Sequence, residues 1–199
     1  MNIYCIGRNY AEHAKELGNA VPEEPMVFLK PSGAFVQGDS TLKIPLNTQQ
    51  LDHEVEVVLK MGANGKIEAV AIGIDFTARD LQKKAKEKGA PWVLSKGMNG
   101  FAPVGNWVEA SLIQNLESLE FGIEVNGELK QKGSPKEMIF SIPKLIQYLS
   151  THFTLVPGDL IFTGTPAGVS KLKAGDVLTA WMKKNDNSKP ISALKVKIS

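Results

Sequence analysis

Glycine and proline divide this chain into many short segments, and this pattern limits the fold more than any other feature. The 199 residues include 18 Gly and 11 Pro, and the runs between them have the length and residue types of strands. Helical patterns are fewer and do not alternate regularly with strands, so a doubly wound parallel sheet is not expected. We therefore predict an α+β, β-rich fold with a curled mixed sheet. The predicted strands are residues 2–6, 26–30, 54–61, 67–74, 101–107, 119–125, 159–163, 177–182 and 191–198.

Turn and helix signals give the order of the remaining elements. Asn126 and Gly127 both accept positive φ, so they predict a type I′ hairpin turn between two strand-like runs. Thr77 and Asp80 have the spacing of a capping box at the start of a helix, and Gly89 can end that helix. The three segments with helical patterns are residues 10–17, 77–88 and 141–150.

Charge and composition exclude several classes of protein. Lys plus Arg is 23 and Asp plus Glu is 21, so the chain has no general positive field with which to bind nucleic acid. One Cys and three His exclude a cysteine-rich zinc or iron–sulfur site. The sequence contains no apolar run long enough for a membrane span and no signal peptide, so we expect a cytoplasmic protein without membrane partners.

Three carboxylates have the spacing of a metal site. Glu54 and Glu56 alternate with valines along a predicted strand and therefore share a face. On this spacing alone, an exposed strand with a polar outer face is the commoner explanation. Asp75 ends a second apolar strand immediately before a predicted helix, where it could also serve as a cap. Together the three acids offer hard oxygen ligands of the kind that Mg²⁺ and Mn²⁺ bind.

Three further features could serve catalysis, although each also has an ordinary structural explanation. His13 and Glu16 are three apart on a predicted helix, so the acid can orient the ring for proton transfer; a surface ion pair would look the same. Lys96, which we place at the end of an apolar strand, could face a pocket or simply end the strand. The loop 163–168 contains two glycines that allow backbone N–H groups to approach a ligand, or it is a plain turn.

Taken together and in order, these motifs resemble the fumarylacetoacetate hydrolase family over nearly the whole chain. The similarity is greatest to the short single-domain branch of acylpyruvases and oxaloacetate decarboxylases, so we predict one catalytic domain over residues 1–199. The matching segments are residues 6–10 with His13 and Glu16, 28–31, 53–56, 75–80, 91–92 with Lys96, 126–128, 138–143 and 163–166.

The resemblance implies a mixed β-sheet roll, a homodimer, and roles for individual residues. It implies Mg²⁺ or Mn²⁺ as the cofactor and a small 2-oxo acid as the substrate. Many members have Asp three residues after the lysine, where this chain has Asn99. The implied metal ligands are Glu54, Glu56 and Asp75, the implied catalytic residues are His13, Glu16 and Lys96, and the implied substrate-binding residues are Arg79, Gln82 and Thr165.

The resemblance also implies an enzyme that works through a metal-stabilised enolate. The expected reaction is hydrolysis of the C–C bond of a 3-acylpyruvate to pyruvate and a carboxylate, or decarboxylation of oxaloacetate. An isomerase or tautomerase of 2-hydroxy-dienedioates uses the same electron sink and is the first alternative. A non-catalytic dicarboxylate-binding protein is the second.

Overall fold

In the computed structural model, residues 1–16, 18, 20–184 and 188–199 are described. They form an eight-stranded, a five-stranded and a three-stranded sheet with four short α-helices, which confirms the predicted fold class. The strands are β1 Ile3–Gly7, β2 Met26–Lys30, β3 Phe35–Gln37, β4 Ser40–Leu42, β5 Leu51–Asp52, β6 Val55–Met61, β7 Ile67–Ile74, β8 Thr77–Ala78, β9 Ala102–Val104, β10 Val108–Glu109, β11 Glu120–Val125, β12 Glu128–Gly133, β13 Leu160–Phe162, β14 Lys171–Leu172, β15 Val177–Lys183 and β16 Ser192–Ile198. The helices are α1 Ala11–Glu16, α2 Arg79–Glu87, α3 Val93–Lys96 and α4 Ile142–His152.

The largest sheet is mixed, and its central strands are buried on both faces. Its order is β2-β1-β13-β6-β7-β9-β3, with β10 added beside β7. β1 runs parallel to β13, so that Ile3 lies opposite Leu160, while β6 and β7 form an antiparallel pair. The valines and isoleucines of β6 and β7 face both sides of this sheet, as expected for a strand pair with no solvent face.

A glycine in β7 allows the central strands to pack closely. A Cβ at Gly73 would lie 2.6 Å from a methyl group of Val58 and 3.1 Å from the ring of Phe162. A real Cβ cannot approach other atoms this closely, so only glycine fits here. The close packing fixes the pair β6 and β7 as a rigid support for the residues at its end.

The strand and hairpin predictions are largely confirmed. Each predicted strand overlaps an observed one, although the segment 101–107 contains only the short β9. Asn126 and Gly127 have φ of 55° and 82° and join β11 to β12, as the turn signal predicts. The first helix ends at Glu16, where the Gly18 N–H bonds to the Lys15 carbonyl. Leu17, which we assigned to this helix, lies outside the described residues.

The prediction for the start of the second helix is wrong. α2 begins at Arg79, and Thr77 belongs to the short strand β8, which pairs with β5. The Thr77 hydroxyl donates to the Asp75 carbonyl, and Asp80 accepts from the Thr48 hydroxyl instead of closing a capping box. Pairing with β5 outweighs the local capping signal, because β8 gains partners that a sequence window cannot reveal.

The helices are short, and one of them replaces a predicted strand. Residues 93–96 form α3, so Lys96 ends a single helical turn and not an apolar strand. The longest helix, α4, has 11 residues. Among the described residues no helix combines the length and apolar character that crossing a membrane requires.

Candidate metal centre and active site

The predicted metal ligands Glu54, Glu56 and Asp75 meet at one end of the central strand pair. In the β6–β7 register Val55 lies opposite Ile74. Glu54 directly precedes Val55 and Asp75 directly follows Ile74, so both acids lie at the same end of the strand pair. The Asp75 N–H bonds to the Glu54 carbonyl at 2.7 Å. One carboxylate oxygen from each of the three side chains lies within 4.8 Å of the others.

All three carboxylates are buried, which excludes the exposed-strand explanation. Glu54, Glu56 and Asp75 are 5%, 2% and 1% exposed. Carboxylates removed from water to this degree need a cation or several hydrogen bonds. The alternation of charge along β6 therefore marks a site and not a solvated face.

Buried cations surround two of the three carboxylates. Lys96 Nζ donates to Glu54 Oε2 at 2.7 Å and to Asp75 Oδ2 at 2.6 Å. Lys30 Nζ is 2.7 Å from Asp75 Oδ1, although its orientation does not satisfy hydrogen-bond geometry and that oxygen has no hydrogen-bond donor. Arg79 donates to Glu54 Oε1 at 2.5 Å and to Asp52 Oδ2 at 2.8 Å.

The pKa values of the two glutamates move in opposite directions. Burial raises the pKa of Glu54, but the charges of Lys96 and Arg79 outweigh burial and hold that pKa well below its usual range. Burial also raises the pKa of Glu56, and the negative charges of Asp75 and Glu54 raise it further. The Gly164 N–H donates to Glu56 Oε2 at 2.7 Å and offsets only part of this. Of the three carboxylates, Glu56 is thus the one with the least compensation by nearby positive charge.

The donor set fits a hard divalent cation. Three carboxylates converge on one point. Within the described part of the chain, Glu56 forms no ion pair and Asp75 Oδ1 accepts no hydrogen bond. Mg²⁺ and Mn²⁺ bind oxygen ligands of this kind and leave further positions for water or substrate. Glu54, Glu56 and Asp75 are the residues that would hold such an ion.

The predicted proton-transfer pair lies at the same pocket. His13 Nδ1 is 3.2 Å from Glu16 Oε2, and His13 lines the pocket together with the three carboxylates. Because a carboxylate only accepts, Nδ1 carries the proton and Nε2 is left to receive one. Glu16 is itself held by the Gly168 N–H at 3.1 Å, so the loop 163–168 supports the pair.

The predicted substrate-binding residues also line this pocket. Arg79 Nη1 donates to Gln82 Oε1 at 2.9 Å, and the Thr165 hydroxyl donates to the Val55 carbonyl at 2.9 Å. Arg79, Gln82 and Thr165 all face the pocket, as does Lys96. Asn99 is exposed and does not line the pocket.

Gln131 is a site residue that the sequence analysis missed. Its Oε1 accepts from the Val55 N–H and from His53 Nδ1, and its Nε2 donates to the Thr165 hydroxyl at 2.7 Å and to the Pro166 carbonyl. The side chain therefore joins the strand that carries the metal ligands to the loop that carries Thr165. A β-bulge between β11 and β12 turns it inward, and no periodic pattern in the sequence predicts that bulge.

Lys30, Arg8 and Lys86 are further residues at the site for which the sequence analysis proposed no role. Lys30 is 3% exposed and donates to the carbonyls of Lys96 and Phe101. The one sequence signal for Lys30 is its position at the end of a strand and before a proline. An ordinary solvated lysine often has the same position. Arg8 and Lys86 line the pocket, but Arg8 falls between a predicted strand and a predicted helix, and Lys86 is one of several lysines on a predicted helix.

A β-rich roll with a buried acidic triad at its pocket defines the class of protein. The sequence profile of the fumarylacetoacetate (FAA) hydrolase C-terminal family matches residues 2–198. The chain therefore belongs to the FAA hydrolase family, which is a family of enzymes.

Individual relatives agree with this assignment. The chain is 44% identical over 188 residues to a protein of Arabidopsis thaliana named oxaloacetate tautomerase FAHD1, mitochondrial, covering 89% of this chain and 84% of that protein. It is 42% identical over 187 residues to the mitochondrial oxaloacetate decarboxylase of Dictyostelium discoideum, covering 88% and 86%. The fold matches the crystal structure of fumarylpyruvate hydrolase from Pseudomonas aeruginosa, in complex with Mn²⁺ and pyruvate, with a TM-score of 0.92 and 32% identity over 100% of this chain and 89% of that one.

Proposed function

We propose that this chain is a divalent-metal-dependent enzyme that acts on 2-oxo acids. Its reaction would be the hydrolysis of a 3-acylpyruvate to pyruvate and a carboxylate, or the decarboxylation of oxaloacetate. The observation that carries this proposal is that three groups of side chains meet at one pocket. They are the carboxylate triad, Lys96, and the His13–Glu16 pair. The relatives named as an oxaloacetate decarboxylase and a fumarylpyruvate hydrolase support it.

Glu54, Glu56 and Asp75 would hold Mg²⁺ or Mn²⁺ in this proposal. When bound, the ion would supply Lewis-acid stabilisation of the negative charge that develops on the substrate's 2-oxo oxygen. The three carboxylates would fix its position, and Lys30 and Arg79 would keep Asp75 and Glu54 in the orientation that the site needs.

Hydrolysis needs a base, an acid and a water molecule. Glu16 would orient His13, and His13 Nε2 would take a proton from water so that hydroxide attacks the distal carbonyl carbon. The bond between that carbon and C3 then breaks, and its electron pair moves to C3 as the enolate. Lys96 would stabilise the negative charge and give a proton to C3, which yields pyruvate.

Decarboxylation of oxaloacetate uses the same residues except the water-activating pair. Carbon dioxide leaves from C3, the electron pair forms the enolate, and Lys96 would deliver the proton to C3. His13 and Glu16 have no necessary role in bond cleavage here. The two reactions are therefore separable through His13.

Tautomerisation is a second candidate function. A relative that is 44% identical carries the name oxaloacetate tautomerase, and keto–enol exchange at C3 needs only an acid and a base. His13 and Lys96 both line the pocket and could exchange these protons. An isomerase of 2-hydroxy-dienedioates would carry out the same kind of proton transfer on a longer substrate. A protein that only binds dicarboxylates would have no use for the pair His13–Glu16.

Single-domain organisation over residues 1–199, homodimer formation and a cytoplasmic location stay predictions. In support of the dimer, β2 lies at the edge of the largest sheet and exposes Leu29, which leaves an edge that a second copy could cover. Sedimentation velocity would measure the oligomeric state directly.

A small substrate panel tests the proposed function. Acetylpyruvate, fumarylpyruvate, oxaloacetate and a hydroxy-dienedioate would be assayed with Mg²⁺, with Mn²⁺ and after chelation, recording pyruvate release and enol disappearance separately. We expect metal-dependent turnover of at least one oxo acid. Full activity after chelation would overturn the metal assignment, and binding without turnover of any substrate would favour a binding protein.

A further inference from the structure

Two cationic side chains at the pocket have no acidic partner. Lys30, Lys96 and Arg79 each contact a carboxylate of the buried cluster. Arg8 and Lys86 line the same pocket, yet among the described residues neither forms an ion pair or a hydrogen bond. Arg8 is half-buried and Lys86 is exposed, which places them at the outer end of the pocket, away from the buried triad.

The helix α2 extends from the inner to the outer end of this pocket. Arg79, Gln82 and Lys86 have the spacing i, i+3, i+7 and so lie on one face of the helix. Lys86 stands about 10 Å along the axis from Arg79 at the standard helical rise. Its Nζ lies 5.3 Å from the centroid of the Trp92 ring, and this cation–π contact holds the ammonium group over the pocket wall.

Arg8 is held in a backbone conformation that arginine rarely adopts. Its φ is 57°, in the left-handed region that is unfavourable for residues with a long side chain. The next residue, Asn9, fixes this turn by accepting from the Phe140 N–H and donating to the carbonyls of Phe140 and Thr163. The fold thus directs a guanidinium group into the pocket at some cost in backbone energy.

The electrostatic environment at the outer end favours an anion. Burial lowers the pKa of Lys86, and the positive charges of Arg8, Arg79 and Lys96 lower it further. At the inner end, four carboxylates face three cationic side chains. The carboxylates are those of Asp52, Glu54, Glu56 and Asp75, and the cationic residues are Lys30, Lys96 and Arg79. A divalent cation would leave one positive charge there, which the carboxylate beside the 2-oxo group of a substrate would balance. Among the described residues, no carboxylate forms an ion pair with Arg8 or Lys86.

We propose that Arg8 and Lys86 form a subsite for a second carboxylate, at the end of the substrate farthest from its 2-oxo acid group. This subsite would make the enzyme selective for dicarboxylic 2-oxo acids over 2-oxo acids with an uncharged end. The inference rests on the proposed function, because it takes the inner end of the pocket as the place of the 2-oxo acid group.

Two ligands that differ only at the far end test this subsite. 2-Oxoglutarate and 2-oxovalerate have the same five-carbon chain, with a carboxylate in one and a methyl group in the other. Their dissociation constants would be measured by calorimetry on the Mn²⁺-loaded protein, with oxalate as a ligand for the inner end alone. The variants are Lys86→Gln and Arg8→Gln, and Lys83→Gln is the matched control, since Lys83 lies on α2 outside the pocket.

We expect the unmodified protein to bind 2-oxoglutarate more tightly than 2-oxovalerate. Each variant should weaken 2-oxoglutarate roughly tenfold, the effect of losing one charge-assisted contact. Each should leave 2-oxovalerate and oxalate within about twofold, and Lys83→Gln should change nothing. Lys86→Gln replaces an exposed side chain, so it keeps the test decisive even if Arg8→Gln disturbs the turn.

The possible failures are distinguishable. Equal affinity for the two five-carbon ligands, an equal loss of both in the variants, or a similar loss in Lys83→Gln would overturn the subsite alone. If none of the three ligands bound to the metal-loaded protein, the proposed function would fail and the subsite with it.

Discussion

The carboxylate triad and the predicted proton-transfer pair are held in different ways. At the inner end Glu54, Asp75 and Lys96 are buried and joined by contacts of 2.6 to 2.7 Å. His13 and Glu16 stand on a helix of six residues. They are joined to each other at 3.2 Å, and Glu16 also accepts from the Gly168 N–H. The triad stands at the end of a rigid strand pair, whereas the pair His13–Glu16 stands on a short helix.

This difference separates the chemistry that all candidate reactions share from the chemistry that distinguishes them. Each reaction needs stabilisation of negative charge at the inner end, where fixed charges act most strongly because they do not reorganise. In the proposed mechanism, activation of water depends on the pair His13–Glu16 instead. Substitutions in the triad and in the pair His13–Glu16 should therefore have different effects.

Asp75→Asn should have the largest effect. It removes a proposed metal ligand and leaves buried Lys30 without its carboxylate. We expect every oxo-acid activity to fall at least about a thousandfold and the free energy of unfolding to fall by about 4 kcal/mol. Turnover assays, Mn²⁺ titration and urea unfolding measure the three effects. An active variant with normal Mn²⁺ affinity would contradict the ligand assignment.

Glu54→Gln and Glu56→Gln should differ in stability although both weaken metal binding. Glu54→Gln removes a buried partner from Lys96 and Arg79 and should destabilise the metal-free protein by about 3 kcal/mol. Glu56 has a raised pKa in the folded state, so its contribution to stability is lost as pH rises through that value. Glu56→Gln should remove this loss and leave the metal-free protein at least as stable as the parent at alkaline pH.

Thermal unfolding of the metal-free proteins as a function of pH measures this contrast. The pKa of Glu54 is depressed in the folded state, so its contribution is lost as pH falls through that value, the opposite sign to Glu56. Equal destabilisation by the two glutamine variants at all pH values would show that the charge balance described for the triad is wrong.

His13→Ala should separate the reactions. Hydrolysis of an acylpyruvate should slow by about 10² to 10⁴-fold because the water loses its base. Oxaloacetate decarboxylation should fall much less, and Mn²⁺ affinity should stay within about twofold, since His13 is not one of the carboxylate ligands. Parallel rate measurements on the two substrates test this. Unchanged hydrolysis would refute the role of His13 in activating water.

Gln131→Leu should have the smallest effect on rate. It leaves the Val55 N–H and His53 without their buried acceptor and should cost about 3 kcal/mol in unfolding free energy. Loss of its hydrogen bond to Thr165 should let that side chain move and lower kcat/KM roughly tenfold. The amount of pyruvate released per substrate consumed should change little. Leu129→Gln, an exposed substitution on the same strand, is the control and should change the unfolding free energy by less than about 0.5 kcal/mol.

The sequence predicted those parts of the molecule that depend on local pattern. Alternation and turn residues predicted the strands and the hairpin at Asn126 and Gly127, because both signals act within a few residues. The spacing of Glu54 and Glu56 alone favoured an exposed strand, and the metal site was predicted only when Asp75 and the family resemblance were added. The structure brings all nine proposed site residues to one region, while their individual roles stay predictions.

What the sequence did not predict depends on partners far along the chain. Thr77 has the form of a helix cap but joins β8, since β5 offers it a strand partner. Lys96 ends a helical turn because α3 packs beside α2 and β8 and not in a sheet. Lys30 and Gln131 resemble ordinary strand residues until the strands that bury them are known. In each case tertiary contacts decide what local propensity leaves open.

The parallel pairing of β1 with β13 has a consequence for how the protein is made. Ile3 pairs with Leu160, so the first strand synthesised waits for a partner about four-fifths of the way along the chain. Pairings over such distances form slowly, and β1 and β6 expose apolar edges until β13 arrives between them. The pocket, which needs the loop after β13, can therefore assemble only when most of the chain has left the ribosome, and a truncated chain would present unpaired strands that are prone to aggregation.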